Sequence, residues 1–335
     1  MKAAVLGGYD KNGRDLEVRD IPVPQPAASE VLVRVSTAGV NPLDNMIVRG
    51  EVKLIVPYSF PLVMGNELVG TVEALGADVT RFEVGDRVYG RMPLAKIGAF
   101  AEYAAISADA LAKVPDYLTD EEAACVPLTA LTALQSFELM NVKAGDTVFI
   151  SGGTGSLGAM AIPVAKGLGL RVATNGNGRS ADRVRALGAD EFIDYKNQDY
   201  VDVLHDVDGV LDSLGERELE RQLSILKRGG TLVSLRAMPN GEFAQRMGMS
   251  GFKRFLFGMA GRKFDKMAQK RDQRYRFVFV HEDGIGLAAL PGILGERKIE
   301  ASVDEGFALD DVNNALAKVA AGGSKGKTVL RIARS

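Results

Sequence analysis

The sequence contains few residues that bind metals or form disulfides. One cysteine, Cys125, and two histidines, His205 and His281, occur among 335 residues. A single cysteine excludes an intrachain disulfide. A structural zinc site requires four protein ligands and a catalytic zinc site usually requires three. Because these three residues are far apart in the chain, we expect no metal site.

An excess of charge of one sign is also missing. The chain has 41 basic and 43 acidic side chains, and its formal net charge is -2. This balance provides no broad positive field, so neither nucleic acid nor a membrane is an expected partner. The segment Met1–Leu6 leads into two glycines, and no apolar run approaches the roughly 20 residues that cross a bilayer. We therefore expect a cytoplasmic protein.

The character of the chain changes near residue 120, and its length of 335 residues predicts two domains. Before that point, short β-type runs alternate with turns rich in proline and glycine. After a helical pattern over 121–140, strands and helices alternate at the intervals of a doubly wound parallel sheet, an α/β arrangement. The predicted strands lie at 147–151, 171–174, 191–193, 209–212, 231–235 and 276–280, and the helices between them at 157–168, 181–187 and 216–226.

The stretch from 240 to 275 combines phenylalanine and methionine with many lysines and arginines. One interpretation is an amphipathic helical insertion whose apolar stripe packs on the protein while its charges are solvated. The alternative is a flexible, methionine-rich lid over an apolar substrate cleft. The segment after 283, with helices predicted at 285–294 and 310–321, is too short for a domain and is expected to rejoin the N-terminal part.

A glycine-rich turn lies between the predicted strand 147–151 and the predicted helix that follows: Gly153, Thr154, Gly155, Ser156, Leu157 and Gly158. This context is the one that a dinucleotide-binding turn requires. The first glycine permits the tight turn, the second lets the backbone approach a pyrophosphate, and the third lets helix and strand pack closely. The helix N-terminus then presents unpaired N–H groups to the phosphates, so we predict a dinucleotide cofactor.

The choice between NADH and NADPH is usually made at the end of the second strand, where a carboxylate binds the ribose of NADH. Here that place holds Thr174, Asn175 and Arg179, with no acid between 174 and 180. Arg179, with Arg183 one turn later, has the charge and donors to bind a 2′-phosphate. The sequence therefore favours NADPH, although Arg179 also fits an ordinary solvated residue at a helix start.

Several motifs occur in the order and spacing of a known family. With the glycine turn they cover nearly the whole chain: 38–44 (AGVNPLD), 61–67 (PLVMGNE), 84–88 (VGDRV), 98–103 (GAFAEY), 127–133 (PLTALTA), 187–190 (LGAD), 193–195 (IDY), 212–215 (DSLG) and 326–330 (GKTVL). The pattern resembles the medium-chain dehydrogenase/reductase superfamily, in its zinc-independent branch of quinone oxidoreductases and enone or 2-alkenal reductases.

The resemblance implies a fold and a cofactor. It implies a GroES-like β-barrel catalytic domain, residues 1–121 and 285–335, and an inserted Rossmann NADPH-binding domain, residues 122–284. In the zinc-dependent relatives a cysteine precedes the Asp of the first motif and a Gly-His-Glu follows. This chain has Asn41 and Pro42 before Asp44, and Asn66 before Glu67. The missing ligands favour a preactivated acceptor over an alcohol, because no metal would polarise an alcohol oxygen.

The resemblance also implies the site residues. Asn41 and Asp44 would lie in the cleft and Thr129 would contact the nicotinamide carboxamide, so these three are the candidate catalytic residues. Asn41 capping a turn, Asp44 capping a helix, and Thr129 bonding its own helix backbone are the structural alternatives. Besides the glycine turn, the candidate cofactor-binding residues are Thr174, Asn175, Arg179, Tyr195, Ser213, Leu235, Phe279 and Lys327.

The expected function is hydride transfer from NADPH to a small conjugated carbonyl compound, a quinone or an α,β-unsaturated enone or enal. Such acceptors need mainly contact with the nicotinamide and stabilisation of the anion that forms. Two alternatives stay open: an enoyl-thioester reductase, for which the basic stretch 253–276 would bind a phosphorylated carrier, and a non-catalytic, crystallin-like or regulatory NADPH-binding protein. Relatives commonly pair across the strand at 276–280, so a homodimer is expected.

Overall fold

The computed structural model describes residues 1–323 and 326–332 and has an α/β architecture. The chain divides into two units. Unit 1 comprises Met1–Leu131, His281–Pro291 and Ile299–Ser335, and unit 2 comprises Thr132–Val280 and Gly292–Lys298. Two helices, at Pro127–Met140 and Gly284–Leu294, contribute residues to both units. The domain limits given above stay a prediction.

Unit 1 is mainly β-structure. Its strands are β1 (Lys2–Leu6), β2 (Glu17–Asp20), β3 (Glu30–Val40), β4 (Leu62–Val63), β5 (Glu67–Leu75), β6 (Arg87–Arg91), β7 (Tyr103–Ser107), β8 (Leu111–Lys113), β15 (Val303–Ala308) and β16 (Lys327–Arg331). One sheet has the order β2-β1-β4, and the other has the order β15-β16-β3-β5-β6-β8, with β7 also paired to β3. The long strand β3 therefore holds the second sheet together.

The helices connected with unit 1 are short, apart from the two shared with unit 2. They are α1 (Pro42–Val48), α2 (Asp120–Ala123), α3 (Pro127–Met140), α10 (Gly284–Leu294) and α11 (Val312–Ala321). The single helix predicted over 121–140 is wrong in one respect, because α2 ends at Ala123 and α3 begins at Pro127. Proline has no N–H to donate to a preceding turn, so it ends α2 and suits the first position of α3.

Unit 2 contains a parallel sheet with helices between its strands. The strands are β9 (Thr147–Ile150), β10 (Arg171–Gly176), β11 (Glu191–Asp194), β12 (Val207–Asp212), β13 (Leu226–Ser234) and β14 (Arg274–Phe277). Their order is β11-β10-β9-β12-β13-β14, and every neighbouring pair is parallel. The helices are α4 (Ser156–Gly167), α5 (Ala181–Ala186), α6 (Tyr200–Val203), α7 (Leu219–Ile225), α8 (Gly241–Arg246) and α9 (Gly251–Gln269).

Strand β14 differs from its predicted bounds of 276–280. The ladder with β13 runs from Thr231↔Arg274 to Ser234↔Phe277. Val278 and Val280 are buried as well, but they lie beyond the paired residues. The predicted strand therefore begins and ends too late in the chain. It was predicted from hydrophobicity, which indicates burial and not backbone pairing.

The span Asp120–Met140, which includes α2 and α3, is long and apolar enough to cross a membrane. The expectation that no apolar run approaches this length is therefore wrong. The most apolar window of the span is 78% buried inside the structure. Burial of this extent is typical of a core helix in a folded domain.

The insertion between residues 240 and 275 is helical. Asn240 caps α8 by accepting a hydrogen bond from the Phe243 amide, and Ser250 caps α9 through the Lys253 amide. Four residues of α9 at helical spacing are buried: Phe257, Gly261, Phe264 and Ala268. This agrees with the amphipathic interpretation. Other apolar residues of α9 are exposed, which that interpretation did not predict.

Candidate active site

Unit 1 buries a group of polar side chains that we call the polar cluster: Asn41, Asp44, Asn66, Glu67 and Lys327. None of them is more than 4% exposed. The strand pairing brings them together, because Thr328 of β16 pairs with Val40 of β3, and Ala38 of β3 pairs with Leu68 of β5. The end of β3 and the starts of β5 and β16 therefore meet at one place.

Hydrogen bonds and one ion pair connect the polar cluster. The Lys327 ammonium lies 2.6 Å from Glu67 Oε1 and also donates to Asn41 Oδ1. Asn41 Nδ2 donates to the same Glu67 oxygen at 2.8 Å, and the Leu128 amide donates to Glu67 Oε2 at 2.7 Å. Both Glu67 oxygens are thus occupied. A buried ion pair of this kind is tolerated only when its remaining polar atoms are satisfied.

Asp44 connects the cluster to helix α1. Asn41 is the N-cap of α1, and its amide donates to Asp44 Oδ2 at 2.7 Å. Asn66 Nδ2 donates to Asp44 Oδ1 at 2.7 Å. The capping alternative considered for Asn41 therefore occurs, whereas Asp44 is not an N-cap but the third residue of α1, where its side chain accepts from the N-cap amide. Their proposed roles toward a cofactor or substrate stay predictions.

Burial raises the pKa of Asp44 to about 7, because the charged form loses solvation that its hydrogen bonds to Asn41 and Asn66 restore only in part. Glu67 raises it further and Lys327 lowers it. Because the pKa of Asp44 is higher in the folded protein than in the unfolded chain, protonated Asp44 stabilises the fold at low pH. This stabilisation is complete below the pKa of the unfolded chain and is lost as pH rises through the folded-state pKa of about 7.

An Asp44→Asn variant has no carboxyl group that titrates at this position. We therefore expect its free energy of unfolding to fall less than that of the wild type as pH rises. Between about pH 5 and about pH 8 the difference should amount to roughly 2–3 kcal/mol, because each pKa unit corresponds to about 1.4 kcal/mol. Urea unfolding of both proteins at the two pH values measures it. Parallel losses in the two proteins would contradict a raised pKa at Asp44.

Arg91 is a buried cation that the sequence analysis did not identify. It is 0% exposed, and it pairs directly with Glu67 across the ladder of β5 and β6, so the two side chains share one face of the sheet. Its Nη1 donates to the Met92 carbonyl, while Nε and Nη2 have no partner among residues 1–323 and 326–332. Burial lowers the pKa of its guanidinium. Unpaired buried donors are costly unless something else accepts their hydrogens.

Thr129 and Cys125 lie on the α2–α3 side of unit 1. Thr129 is 6% exposed, and its hydroxyl donates to the carbonyl of Cys125 at 2.7 Å. The structural alternative considered for Thr129, a hydrogen bond to its own helix backbone, therefore occurs.

Burial raises the pKa of the Cys125 thiol to about 12. A buried thiol with a raised pKa has little thiolate and is not a nucleophile.

The glycine turn of unit 2 has the geometry that its sequence predicted. A Cβ on Gly153 would lie 2.2 Å from Thr174 Oγ1, and one on Gly158 would lie 2.4 Å from the Gly153 Cα. Only glycine permits these contacts without a shift of the backbone. Gly155 is different, because its Cβ would meet nothing closer than the Gly152 carbonyl oxygen at 3.5 Å. Gly155 is the N-cap of α4 and provides no side chain that would cap the first turn of the helix.

Most candidate cofactor-binding residues lie at the carboxyl ends of the parallel strands, which is where open α/β sheets bind ligands. Thr174 and Asn175 are near the end of β10, and Asn175 Oδ1 accepts from the Gly152 amide at 2.8 Å. Four others each follow the end of one of the strands β11 to β14: Tyr195, Ser213, Leu235 and Phe279. Lys327 does not belong to this group and lies in the polar cluster of unit 1.

Asp212 holds this edge in place and was missed as a functional residue. Its carboxylate is 0% exposed and accepts hydrogen bonds from the Leu214 amide at 2.9 Å, Gln222 Nε2 at 3.0 Å and the Ser234 hydroxyl at 2.6 Å. It therefore fixes the ends of β12 and β13 and the position of Ser213. The motif at 212–215 was its only signal in the sequence.

The residues after β10 carry positive charge at the surface. Arg179 is exposed in a short 3-10 turn, and Arg183 donates to the Thr154 carbonyl of the glycine turn at 2.6 Å. Tyr195 is 57% exposed. The unobstructed approach to Gly155, the N-terminus of α4 and these arginines fit the phosphates of a dinucleotide.

No group of three or more His, Cys, Asp or Glu side chains in 1–323 and 326–332 is arranged to hold a metal ion. Asn66 at the place of a zinc-ligand histidine donates to Asp44, as described above. Independence from zinc stays a prediction.

Two comparisons identify the family. A family model described as the alcohol dehydrogenase GroES-like domain matches residues 27–116, and one described as the zinc-binding dehydrogenase matches residues 187–330. The mitochondrial NAD(P)H oxidoreductase RTN4IP1 of Danio rerio is 30% identical over 99% of this chain and 91% of its own length. The chain belongs to the medium-chain dehydrogenase/reductase superfamily. The predicted resemblance is thus confirmed.

Solved structures of this superfamily agree with the fold. The quinone oxidoreductase of Coxiella burnetii aligns with a TM-score of 0.82 at 26% identity, covering 99% of both chains. The quinone oxidoreductase of Thermus thermophilus, whose structure was also determined with NADPH, aligns with a TM-score of 0.75 at 26% identity over 99% of this chain and 100% of its own. The predicted α/β fold with a GroES-like part and a Rossmann-like sheet is confirmed. This medium-chain dehydrogenase/reductase is an oxidoreductase, and its expected cytoplasmic location stays a prediction.

Proposed function

We propose that this medium-chain dehydrogenase/reductase is a zinc-independent oxidoreductase that uses NADPH to reduce a quinone or an α,β-unsaturated carbonyl compound. The observation that supports this most is the sheet edge of unit 2, where Arg183 donates to Thr154 of an open glycine turn and Arg179 follows the end of β10. The names of its relatives, which are quinone and NAD(P)H oxidoreductases, agree with the proposal.

The proposed cofactor site uses the first amides of α4 for the pyrophosphate and Arg179 with Arg183 for the 2′-phosphate. The bound nicotinamide supplies the hydride. Gly155 leaves room for the pyrophosphate, and Thr174, Asn175 and Ser213 shape the edge on which the dinucleotide lies. Tyr195 provides an exposed ring for the adenosine end.

The proposed substrate site uses the polar groups of unit 1. Asn41, Asp44 and Thr129 are the candidate catalytic residues, and the Lys327 ammonium beside Asn41 supplies positive potential. Reduction of a conjugated carbonyl develops negative charge on its oxygen, which preorganised donors stabilise. The unpaired Nε and Nη2 of Arg91 are donors of this type.

A panel of acceptors tests the proposal. NADPH absorbance should fall with 1,4-naphthoquinone, trans-2-hexenal or 3-buten-2-one, and turnover of crotonyl-CoA alone would instead favour the enoyl-thioester reductase. No consumption of NADPH with any of the four compounds would favour a non-catalytic binding protein.

Metal analysis tests the proposed independence from zinc. Stoichiometric zinc in active protein, lost together with activity on chelation, would contradict it.

Arg179→Ala should weaken NADPH binding by about 10–100-fold and leave NADH binding unchanged, because a charge-assisted hydrogen bond contributes about 1.5–3 kcal/mol. Isothermal titration with each nucleotide measures the effect. Arg171→Ala is the matched control, since Arg171 is an exposed arginine at the opposite end of β10. Equal losses for NADPH and NADH would contradict binding of the 2′-phosphate by Arg179.

We also propose a homodimer. Among the residues that the structure describes, strand β14 is the last strand of the unit 2 sheet, and this sheet edge is suited to pairing across a two-fold axis. Light scattering should give a mass of twice 35.8 kDa. A mass equal to that of one chain would contradict the proposal.

A further inference from the structure

Helix α9 has two different faces. Its buried stripe, Phe257, Gly261, Phe264 and Ala268, packs within unit 2, where Phe264 lies 5.4 Å from Tyr275 between ring centroids. The opposite side carries large apolar residues in its first turns. Phe252 is 71% exposed, Phe255 62% and Met259 58%. Residues spaced by three, four and seven positions share one side of a helix, so these side chains form one apolar surface.

The same side of α9 becomes cationic toward its C-terminus. We call the whole side, together with the C-cap Lys270, the outer stripe, and its members are Phe252, Phe255, Leu256, Met259, Arg262, Lys263, Lys266 and Lys270. Lys263 pairs with Glu216 at 2.8 Å. Arg262, Lys266 and Lys270 have no ion-pair partner in the part of the chain that the structure describes. The apolar half and the cationic half are continuous over about 28 Å of helix, at about 1.5 Å per residue.

The outer stripe contains no carboxylate. Asp265, the acidic residue of α9, lies off this stripe and accepts a hydrogen bond from Asn240 at 2.7 Å. Antiparallel contact with a second copy of α9 would place uncompensated cations against apolar side chains or against other cations. The charge that complements Arg262, Lys266 and Lys270 must therefore come from a different kind of surface.

A surface that combines hydrocarbon with fixed negative charge is the headgroup layer of an anionic bilayer. Helices with lysine and arginine on one part of the surface and phenylalanine and leucine on another lie in that layer, with the apolar residues buried about 5–10 Å deep. We propose that the outer stripe of α9 binds anionic lipid bilayers, with Phe252, Phe255 and Met259 inserted among the acyl chains and the cations on the phosphates. The balanced charge of the whole chain gave no indication of this, because the excess is local.

A tryptophan substitution tests the proposal directly. The chain contains no tryptophan, so Phe255→Trp introduces a single reporter of its environment. Vesicles in which roughly one lipid in three is phosphatidylglycerol should shift its emission to shorter wavelength, and pure phosphatidylcholine should not. Brominated acyl chains should quench it. Raising the salt from about 0.1 M to about 1 M should release the protein, since the Debye length falls from about 10 Å to about 3 Å.

Matched variants separate the outer stripe from general surface effects. Leu54→Trp places the reporter at another exposed apolar residue, 57% exposed in unit 1, and should not respond. Lys266→Gln with Lys270→Gln should lower vesicle partitioning by about 30-fold, whereas Lys53→Gln with Lys143→Gln should change it less than threefold. An equal response at Leu54→Trp, or no loss with the α9 pair, would overturn the proposal. An emission shift that depends on protein concentration without vesicles would also overturn it and assign the stripe to self-association.

Discussion

The Gly155→Ala variant should fold as stably as the wild type and bind NADPH about 10–100-fold more weakly. Gly155 has φ -84° and ψ 176°, a conformation open to alanine, and its Cβ would meet only the Gly152 carbonyl oxygen at 3.5 Å. Alanine gains about 0.4–1 kcal/mol at such a site by restricting the unfolded chain, and a loss of similar size offsets this because alanine is a poorer N-cap than glycine. The same methyl group would lie in the proposed path of the pyrophosphate, and the loss of one charge-assisted contact costs about 1.5–3 kcal/mol of binding.

Two other glycines serve as controls for this result. Gly292→Ala adds a Cβ with no atom within 4 Å in helix α10, so it should leave binding unchanged and raise stability by up to about 1 kcal/mol, because alanine has the higher helix propensity. Gly153→Ala forces a Cβ to 2.2 Å from Thr174 Oγ1, and it should lower stability as well as binding. Titration calorimetry and urea unfolding measure the two properties. Unchanged NADPH affinity in a stable Gly155→Ala protein would show that the cofactor does not approach the turn at this residue.

The Lys327→Met variant should lose about 3–5 kcal/mol of unfolding free energy. Lys327 is within 2.6 Å of the Glu67 carboxylate, which is 0% exposed, and its removal leaves that carboxylate, among the residues that the structure describes, with hydrogen bonds from Asn41 and Leu128. An unpaired buried charge is costly because the protein interior solvates it poorly. Urea unfolding of the full chain gives the difference.

The companion variants separate the buried pair from lysine loss in general. Adding Glu67→Gln to Lys327→Met removes the unpaired charge and should restore more than 1 kcal/mol of the stability, which is a coupling typical of contacting residues. Lys113→Met breaks a pair with Asp86 in which the lysine side chain is 60% exposed, and it should cost far less stability than Lys327→Met because solvent screens the pair. A similar cost for Lys327→Met and Lys113→Met would contradict the role of Lys327 in the polar cluster.

The sheet of unit 2 follows closely from the sequence. Runs such as 147–151 and 209–212 are short, apolar and flanked by glycine and aspartate. This pattern is typical of buried parallel strands. The glycine turn is equally local, because its three glycines act within one strand–turn–helix unit. The bounds of β14 do not follow, since burial of Val278 and Val280 continues past the paired residues.

The polar cluster could be predicted from the sequence only in part. Asn41 and Asp44 stand out because they occupy a motif of the superfamily, and their mutual hydrogen bond is local in the chain. Their contacts with Glu67 and Lys327 depend on the register of β3 with β5 and β16, which no periodicity in the sequence specifies. Arg91 is harder still, since in the sequence it resembles any arginine at the end of a strand.

The exposed side of α9 illustrates another limit. A mixture of phenylalanine, methionine and lysine predicts an amphipathic helix, but both sides of this helix carry large apolar residues. Which side packs inward depends on where α8 and β14 lie. Phe255 and Phe257 are two positions apart and therefore lie on opposite sides of the helix. Phe257 is buried and Phe255 is exposed.

Transfer of deuterium tests the central proposal most directly. NADPH that carries deuterium at the transferable position of the nicotinamide is incubated with the wild-type protein and 3-buten-2-one, and the product is analysed by mass spectrometry. We predict a saturated ketone with one deuterium on the carbon β to the carbonyl, formed in step with NADPH consumption. Consumption of NADPH without deuterium in the ketone, or no reaction with this ketone and with 1,4-naphthoquinone, would contradict the account.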